Sequence, residues 1–115
     1  MLSRCVANAW RRLCGETRAS RHARRRCCFR SFQTACRDNG TAVEINAFPD
    51  RSDLRDVHVR LAVKIGVKLV VDSDAHAPAQ LRYAALGVGI ARRGWATKAD
   101  ILNARPLKKM LEWLR

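Results

Sequence analysis

The chain has 115 residues and a mass of 13.0 kDa, which allows one small domain or part of a larger one and excludes two independent cores. Hydrophobic residues make up 48% and charged residues 29%, a balance that predicts a packed core and excludes a wholly disordered chain. The 23 Lys and Arg against 10 Asp and Glu give a net charge of +13, which favours an acidic or phosphate-bearing partner. No apolar run reaches the roughly 18 residues that a membrane span needs, so no membrane is expected as a partner.

The basic charge is unevenly distributed along the chain. Residues 1–40 carry ten Arg against Glu16 and Asp38, and they also carry all five cysteines: Cys5, Cys14, Cys27, Cys28 and Cys36. The cysteine spacing matches neither a paired zinc motif nor a regular disulfide framework. An odd cysteine count without a secretory signal favours reduced thiols in a cytoplasmic protein. We therefore expect residues 1–31 to be an Arg/Cys-rich segment that lacks regular structure and residues 32–115 to fold.

Within the Arg/Cys-rich segment, the run 21–26 contains four arginines. It is typical either of a solvated tail or of a nucleic-acid-binding arm, since clustered guanidinium groups displace counterions from phosphates. His22 with Cys27 and Cys28 could suggest a metal site, but adjacent cysteines and a missing fourth ligand argue against it.

The first predicted elements after this segment are the end of a helix, a strand and a second helix. Residues 32–37 are typical of a helix that Asp38-Asn39-Gly40 would close, because Gly can adopt the left-handed conformation that ends a helix. Residues 41–48 alternate in polarity and are rich in β-branched side chains, which predicts a strand. Asp53 is expected to cap the helix that follows and that closes at Gly66. Its apolar residues recur at helical spacing: Leu54, Val57, Leu61 and Ile65.

Residues 67–71 form a nearly continuous apolar run, the pattern of a strand buried on both faces in a parallel sheet. A strand, a helix and a strand in this order form a βαβ unit, so the predicted fold class is α/β with parallel strands covered by helices. Beyond it we expect a helix over 79–86, a short strand or extended loop over 87–90, and a helix through Leu102 that Thr97 and Asp100 cap. A last helix starts at Pro106, and its apolar side is expected to dock onto the body: Leu107, Met110, Leu111 and Leu114.

A candidate metal-binding motif, Asp72-Ser73-Asp74-Ala75-His76, directly follows the second strand. Residues two apart in an extended backbone point to the same side, so Asp74 and His76 can present a carboxylate and an imidazole to one ion. Ligands of parallel α/β folds also bind beyond the carboxyl ends of the strands. The alternative is that Asp72 or Asp74 caps the following helix and that His76 is an ordinary loop residue.

Two further places could bind phosphate. Asn46 stands near the carboxyl end of the first strand, where parallel pairing would bring it beside the Asp74–His76 motif. Arg51, in the next turn, could clamp a phosphate or instead pair with a neighbouring aspartate.

The segment Arg92-Arg93-Gly94-Trp95 is open to two interpretations. It could be a solvated basic turn with Trp95 packed inward, or Arg92 and Arg93 could receive a polyanion. His58 is expected to be a partly buried structural histidine rather than a ligand.

The order of these motifs from residue 32 to the C-terminus resembles the C-terminal part of the PHP (polymerase and histidinol phosphatase) domain in bacterial family X DNA polymerases. The segments that carry the resemblance are Glu44-Ile45-Asn46-Ala47-Phe48-Pro49-Asp50-Arg51, Ser73-Asp74-Ala75-His76 and Ala91-Arg92-Arg93-Gly94-Trp95, with Asp53-Leu54, Asp56-Val57-His58 and Gly87-Val88-Gly89 between them.

The resemblance implies a distorted (β/α)₇ barrel, of which this chain would hold the C-terminal part. It also implies a cluster of divalent metal ions that hydrolyses phosphodiesters at DNA 3′ ends, and Asp74 and His76 match the last metal-ligand motif of the family. A metal ion lowers the pKa of bound water and neutralises charge that builds on phosphate. Mn²⁺, Zn²⁺ or Mg²⁺ would suit carboxylate and imidazole ligands, the first two being favoured by imidazole.

The chain departs from the family pattern at its other ligand motifs. The family's earlier His-x-His motif and further His and Glu positions have no counterpart, and the polymerase domain expected before the PHP domain is absent. We therefore expect an incompletely ligated metal ion and little activity from this chain alone. A stand-alone PHP phosphatase acting on a small phosphate ester, and a non-catalytic basic DNA-binding module, are the alternatives.

Overall fold

The computed structural model describes the backbone of residues 21–115, with side chains from Phe29 onward. Helix α1 (Arg21–Asp38) leads to strand β1 (Val43–Asn46), helix α2 (Asp56–Ile65) and strand β2 (Leu69–Asp72). A 3₁₀ helix (Pro78–Tyr83) continues directly into helix α3 (Ala84–Arg93), and a second 3₁₀ helix (Leu102–Ala104) precedes helix α4 (Leu107–Leu114). Mixed helices and strands in this order confirm the α/β class.

The two strands pair in parallel, as the βαβ pattern predicts. The register runs from Val43 opposite Leu69 to Asn46 opposite Asp72, so both strands end at the same edge of the sheet. Because the crossover from β1 to β2 passes through α2, the residues that follow each strand are brought together at this edge. A complete barrel is not seen in this two-stranded sheet, and the PHP barrel stays a prediction.

The outer edge of β2 is covered by the segment after α3. Ile101 forms an isolated parallel bridge with Leu69, whose backbone N–H donates to the Asp100 carbonyl oxygen over 2.9 Å. Asn103 then presents its side-chain amide to Val71, accepting from the backbone N–H at 3.2 Å and donating to the carbonyl oxygen at 2.7 Å. The prediction of a helix through Leu102 is therefore wrong, because these residues satisfy the open edge of the sheet instead.

Thr97 and Asp100, the predicted capping pair, are hydrogen-bonded but close a turn instead of a helix. The backbone N–H and the hydroxyl of Thr97 both donate to Oδ2 of Asp100 over 2.8 Å, and the chain makes a single turn at 98–100 before it extends.

Helix α1 ends at Asp38 as predicted, but it begins at Arg21, before the predicted boundary at residue 31. Gly40 has φ +61°, and the backbone N–H of Thr41 donates to the carbonyl oxygen of Cys36 over 2.7 Å. The helix forms without strong periodicity because packing of Phe29, Gln33 and Cys36 into the core overrides local sequence preference. Residues 1–20, and the side chains of the run 21–26 and of His22, Cys27 and Cys28, lie outside the part described.

The core lies between α1, α2 and the sheet. Of the apolar residues expected at helical spacing, Leu54 is buried and Leu61 and Ile65 pack against the core, and Val57 alone turns away from it. Val59 and Ala62 are fully buried, whereas Val57 is 61% exposed. Val57 lies two residues, or about 200°, around the helix from Val59. The helix also begins after Arg55, with no side-chain cap, so the predicted capping role of Asp53 is wrong. Gly66 ends it in the left-handed conformation, as expected.

Residues 87–90 lie inside α3 and are neither a strand nor an extended loop. Gly87 is buried where α3 crosses the sheet, and a Cβ there would lie 2.6 Å from Cγ1 of Val71 and 3.0 Å from Cβ of Ala47. Here Gly permits a close helix–sheet approach and does not mark a turn. The helix expected over 79–86 is divided between the first 3₁₀ helix and α3.

Helix α4 starts after Pro106 as predicted, but its apolar side is not docked. Leu107, Leu111 and Leu114 are exposed in the structure, and only Met110 and Trp113 are partly buried. Across residues 21–115, none of the helices has both the length and the apolar character that crossing a membrane would demand.

Candidate functional site

Asn46 links the end of β1 to the loop that follows β2, at the carboxyl edge of the sheet. Its Nδ2 donates to Oε1 of Glu44 over 3.4 Å and to Oδ2 of Asp74 over 3.3 Å. Its Oδ1 accepts the backbone N–H of Phe48 over 3.0 Å, which fixes the orientation of the amide. Asn46 thus lies beside Asp74, as parallel pairing predicts, and its proposed contact with phosphate stays a prediction.

The chain turns sharply where Asp74 follows β2. Oδ1 of Asp72 accepts the backbone N–H of Asp74 over 3.1 Å, and Asp74 has φ +50°. The backbone is therefore not extended, and the argument that placed Asp74 and His76 on one side by strand alternation is wrong. In the alternative, the capping role is also wrong, because Ala77 precedes the 3₁₀ helix with no side-chain cap and neither aspartate caps it, whereas His76 does lie in a loop.

His76 is an exposed residue in this loop. Its backbone N–H donates to Oε1 of Gln80 over 2.7 Å, which anchors the loop to the first 3₁₀ helix. The His76 ring meets the ring of Phe48 edge-on at 6.0 Å, and Tyr83 meets the same ring at 5.6 Å. Phe48 therefore packs between the loop that carries His76 and the 3₁₀ helix.

Glu44, which was not among the predicted site residues, forms an acidic cluster with Asp72 and Asp74. Burial raises the pKa of Glu44, and the negative charge of Asp72, a hydrogen bond with its carboxyl group and the charge of Asp74 raise it further. The hydrogen bond from Asn46 acts in the opposite direction, because it stabilises the carboxylate. The alternation of β1, which places Glu44 and Asn46 on one side of the strand, was the available signal for this cluster.

The donor atoms present at the sheet edge suit a divalent ion in type but not in number. Carboxylate and imidazole groups are ligands that Mn²⁺ and Zn²⁺ accept. Among residues 29–115, however, no three or more His, Cys, Asp and Glu side chains are grouped so that they could hold an ion. The assignment of Asp74 and His76 as metal ligands therefore stays a prediction.

The predicted phosphate-binding arginines do not join this cluster. Arg51 is exposed after the Phe48 turn and, in the described part of the chain, makes no ion pair with Asp50 or Asp53. Arg92 is exposed as well, and Nε of Arg93 lies 4.0 Å from a carboxylate of α2, Oδ2 of Asp56. Binding of phosphate by Arg51, Arg92 and Arg93 stays a prediction.

Trp95 does not pack inward, contrary to one of the two interpretations of its segment. It is 67% exposed, and the guanidinium carbon of Arg60 lies 4.1 Å from the centre of its ring.

His58, on the same helix as Arg60, is partly buried as predicted, and its ring stacks on Phe29 at 4.1 Å. Burial and, secondarily, the charge of Arg55 lower the pKa of His58.

Cys36 is the one cysteine whose side chain the structure describes. It is buried without a disulfide, and burial raises the pKa of its thiol. The reduced state expected for the cysteines stays a prediction.

Comparison with known proteins gives one informative similarity. The chain is 43% identical over 79 residues to the DNA polymerase/3′-5′ exonuclease PolX of Bacillus subtilis (strain 168). The match takes in 69% of this chain and 14% of the relative, so the chain spans only a small part of that protein's length. No model of a known protein family matches the chain.

Proposed function

We propose that residues 32–115 form the C-terminal part of a PHP domain related to that of family X DNA polymerases, with a metal-dependent phosphoesterase site at the carboxyl edge of the sheet. The observation that carries the proposal is the Asn46–Asp74 hydrogen bond, which joins two of the segments of the family resemblance at the edge where parallel folds bind ligands. The similarity to PolX supports DNA as the substrate class.

The site residues have distinct roles in this proposal. Asp74 and His76 would hold a divalent ion, which supplies activated water and neutralises phosphate charge when bound. Asn46 orients the Asp74 carboxylate through its amide. Phe48 limits the motion of the His76 ring by packing against it. Arg51, exposed in the turn that follows β1, would bind a phosphate oxygen of the substrate.

We expect the chain alone to bind the ion weakly, because two donors leave most coordination positions to water. A weakly held ion is not fixed against the scissile phosphate, and little of the catalytic effect of positioning would remain. The remaining ligands of a working site would have to come from outside the described residues. A cytoplasmic location, which the cysteines favour, is part of the same proposal.

A non-catalytic role in DNA binding is the second candidate, and the net charge of +13 favours it. A protein with so many cations releases counterions when it binds a polyanion, whether or not the polyanion is then hydrolysed. Such binding should weaken steeply with salt and should not select a base sequence.

The proposal is tested by titrating the purified chain with Mn²⁺ and by assaying it on a 3′-recessed DNA duplex and on a small phosphate monoester. We expect weak Mn²⁺ binding that Asp74→Asn and His76→Ala each reduce, with no robust turnover. Asp50→Asn and His58→Gln are the matched controls, since neither residue contacts the cluster. Mn²⁺ binding that both site variants leave unchanged would contradict the metal site. Robust turnover by the wild type would contradict incomplete ligation.

A further inference from the structure

An exposed aromatic and cationic surface lies where the turn that ends α3 meets α2. The guanidinium of Arg60 stacks on the indole of Trp95 at 4.1 Å from the ring centre. Trp95 nevertheless keeps 67% of its surface exposed, so Arg60 covers only part of the ring. Other large apolar side chains are exposed too, but among those that the structure describes Trp95 alone offers a flat aromatic ring, and it stands beside a cation.

The position of the indole is fixed by the turn that ends α3. Gly94 is buried against α2, and a Cβ on it would collide with Cγ1 of Val59 and lie 2.9 Å from the carbonyl oxygen of Asp56. The absence of a side chain at Gly94 therefore allows the turn to approach α2 closely. Trp95 follows with φ +63°, a conformation uncommon for a bulky residue, which places its ring against Arg60.

Further cationic side chains are exposed on the two helices that carry this contact. Arg93 is 71% exposed and stands at 4.0 Å from Asp56, which leaves most of its guanidinium in solvent. Arg92 precedes it and is exposed, and Lys64 is exposed one turn after Arg60 on α2. The surface thus combines a flat aromatic ring with four cations: Arg60, Lys64, Arg92 and Arg93.

From this arrangement we infer that Trp95 and Arg60 form a stacking platform for single-stranded nucleic acid. Every base has a π-face that can stack on an indole, and the exposed cations of α2 and α3 can follow the phosphates of an unpaired strand. An acidic polypeptide would satisfy the cations but would leave the indole without a stacking partner. The platform does not depend on the metal chemistry proposed above, because none of its residues is a proposed metal ligand.

The inference is tested by fluorescence anisotropy on the full chain in EDTA, which removes metal chemistry from the measurement. The probes are labelled oligothymidylate, oligouridylate and an abasic deoxyribose-phosphate strand of the same length. Because base–aromatic stacking is lost without bases, we expect the wild type to bind the base-carrying strands about fivefold or more tightly than the abasic strand. Tighter binding of oligothymidylate assigns the platform to DNA and tighter binding of oligouridylate to RNA.

Variants separate stacking from charge. Trp95→Ala should remove the preference for base-carrying strands and leave abasic binding nearly unchanged, whereas Trp95→Phe should keep much of the preference. Arg60→Gln should weaken binding of all strands. Trp113→Ala and Lys108→Gln, on α4, are the matched aromatic and charge controls and should change binding much less.

Equal wild-type affinity for the abasic and base-carrying strands would overturn the platform without reference to any variant. A folded Trp95→Ala protein that keeps the full preference would overturn it too, as would a polyglutamate peptide that binds as tightly as oligothymidylate.

Discussion

Asn46 donates a hydrogen bond from Nδ2 to Oδ2 of Asp74 over 3.3 Å and so links the end of β1 to the loop that follows β2. The same amide group contacts Glu44 at 3.4 Å. One neutral side chain therefore contacts two carboxylates that repel each other, and its hydrogen bond lowers the pKa of Glu44 against the larger opposite effect of burial.

Replacing Asn46 should change the titration of Glu44. In Asn46→Ala the hydrogen bond that stabilises the Glu44 carboxylate is lost, so we expect the pKa of Glu44 to rise above its value in the wild type. A pH titration of the Glu44 side-chain carboxyl carbon by NMR measures this. Asn39→Ala is the control, because Asn39 donates only to the carbonyl oxygen of Ala35. An unchanged or lowered Glu44 pKa would show that Asn46 does not act on the cluster.

Glu44→Gln should stabilise the fold at neutral pH. Burial raises the folded-state pKa of Glu44 above its usual value of 4.5, so the folded protein binds the proton more tightly than the unfolded chain. The wild type therefore loses stability as the pH rises from the Glu44 pKa of the unfolded chain through that of the folded protein. The Gln variant does not show this loss, because Gln does not titrate. Urea unfolding should give the variant a higher free energy of unfolding at about pH 7.5 and nearly the wild-type value at about pH 4. A gain of equal size at both pH values would mean that the effect is not electrostatic.

Two glycines of α3 should respond oppositely to the same substitution. A Cβ on Gly87 would lie 2.6 Å from Val71, so Gly87→Ala should overpack the helix–sheet contact and lower the free energy of unfolding by about 1–3 kcal/mol. Nothing lies within 4 Å of a Cβ on Gly89. Gly89→Ala should therefore raise the free energy of unfolding by about 0.5–1 kcal/mol, because Ala has the higher helix propensity. Chemical denaturation of both variants is the measurement. Stabilisation by Gly87→Ala would contradict the close approach of α3 to the sheet.

These glycines also show why part of the fold could be predicted from the sequence and part could not. The apolar runs and the βαβ order predicted the parallel pairing, because local pattern and topology agree there. The pair Gly87 and Gly89 suggested extended chain, but both lie inside α3, where Gly87 leaves space for Val71 and Gly89 faces open space. Ile101 was assigned to a helix because the sequence does not show that Leu69 needs a partner on its outer side.

The candidate site, too, could be predicted from the sequence only in part. Strand order brought Asn46 to Asp74, which sequence reasoning could foresee. The left-handed turn at Asp74 depends on a hydrogen bond to the side chain of Asp72, and strand alternation could not reveal it. Trp95 was ambiguous because its exposure depends on the tertiary approach of Gly94 to α2.

The central claim, that this chain carries part of a phosphoesterase site, is tested most directly by a chimera. The matched 79-residue segment of the B. subtilis PolX relative would be replaced by the corresponding segment of this chain, so that the relative supplies the rest of the protein. Release of nucleotides from a 3′-recessed duplex would be measured for the chimera and for its Asp74→Asn, His76→Ala and Asp50→Asn variants. We expect an active chimera in which the first two variants lose activity by about 100-fold or more, and Asp50→Asn retains it. A folded chimera without exonuclease activity, or one whose Asp74→Asn and His76→Ala variants remain fully active, would contradict the account.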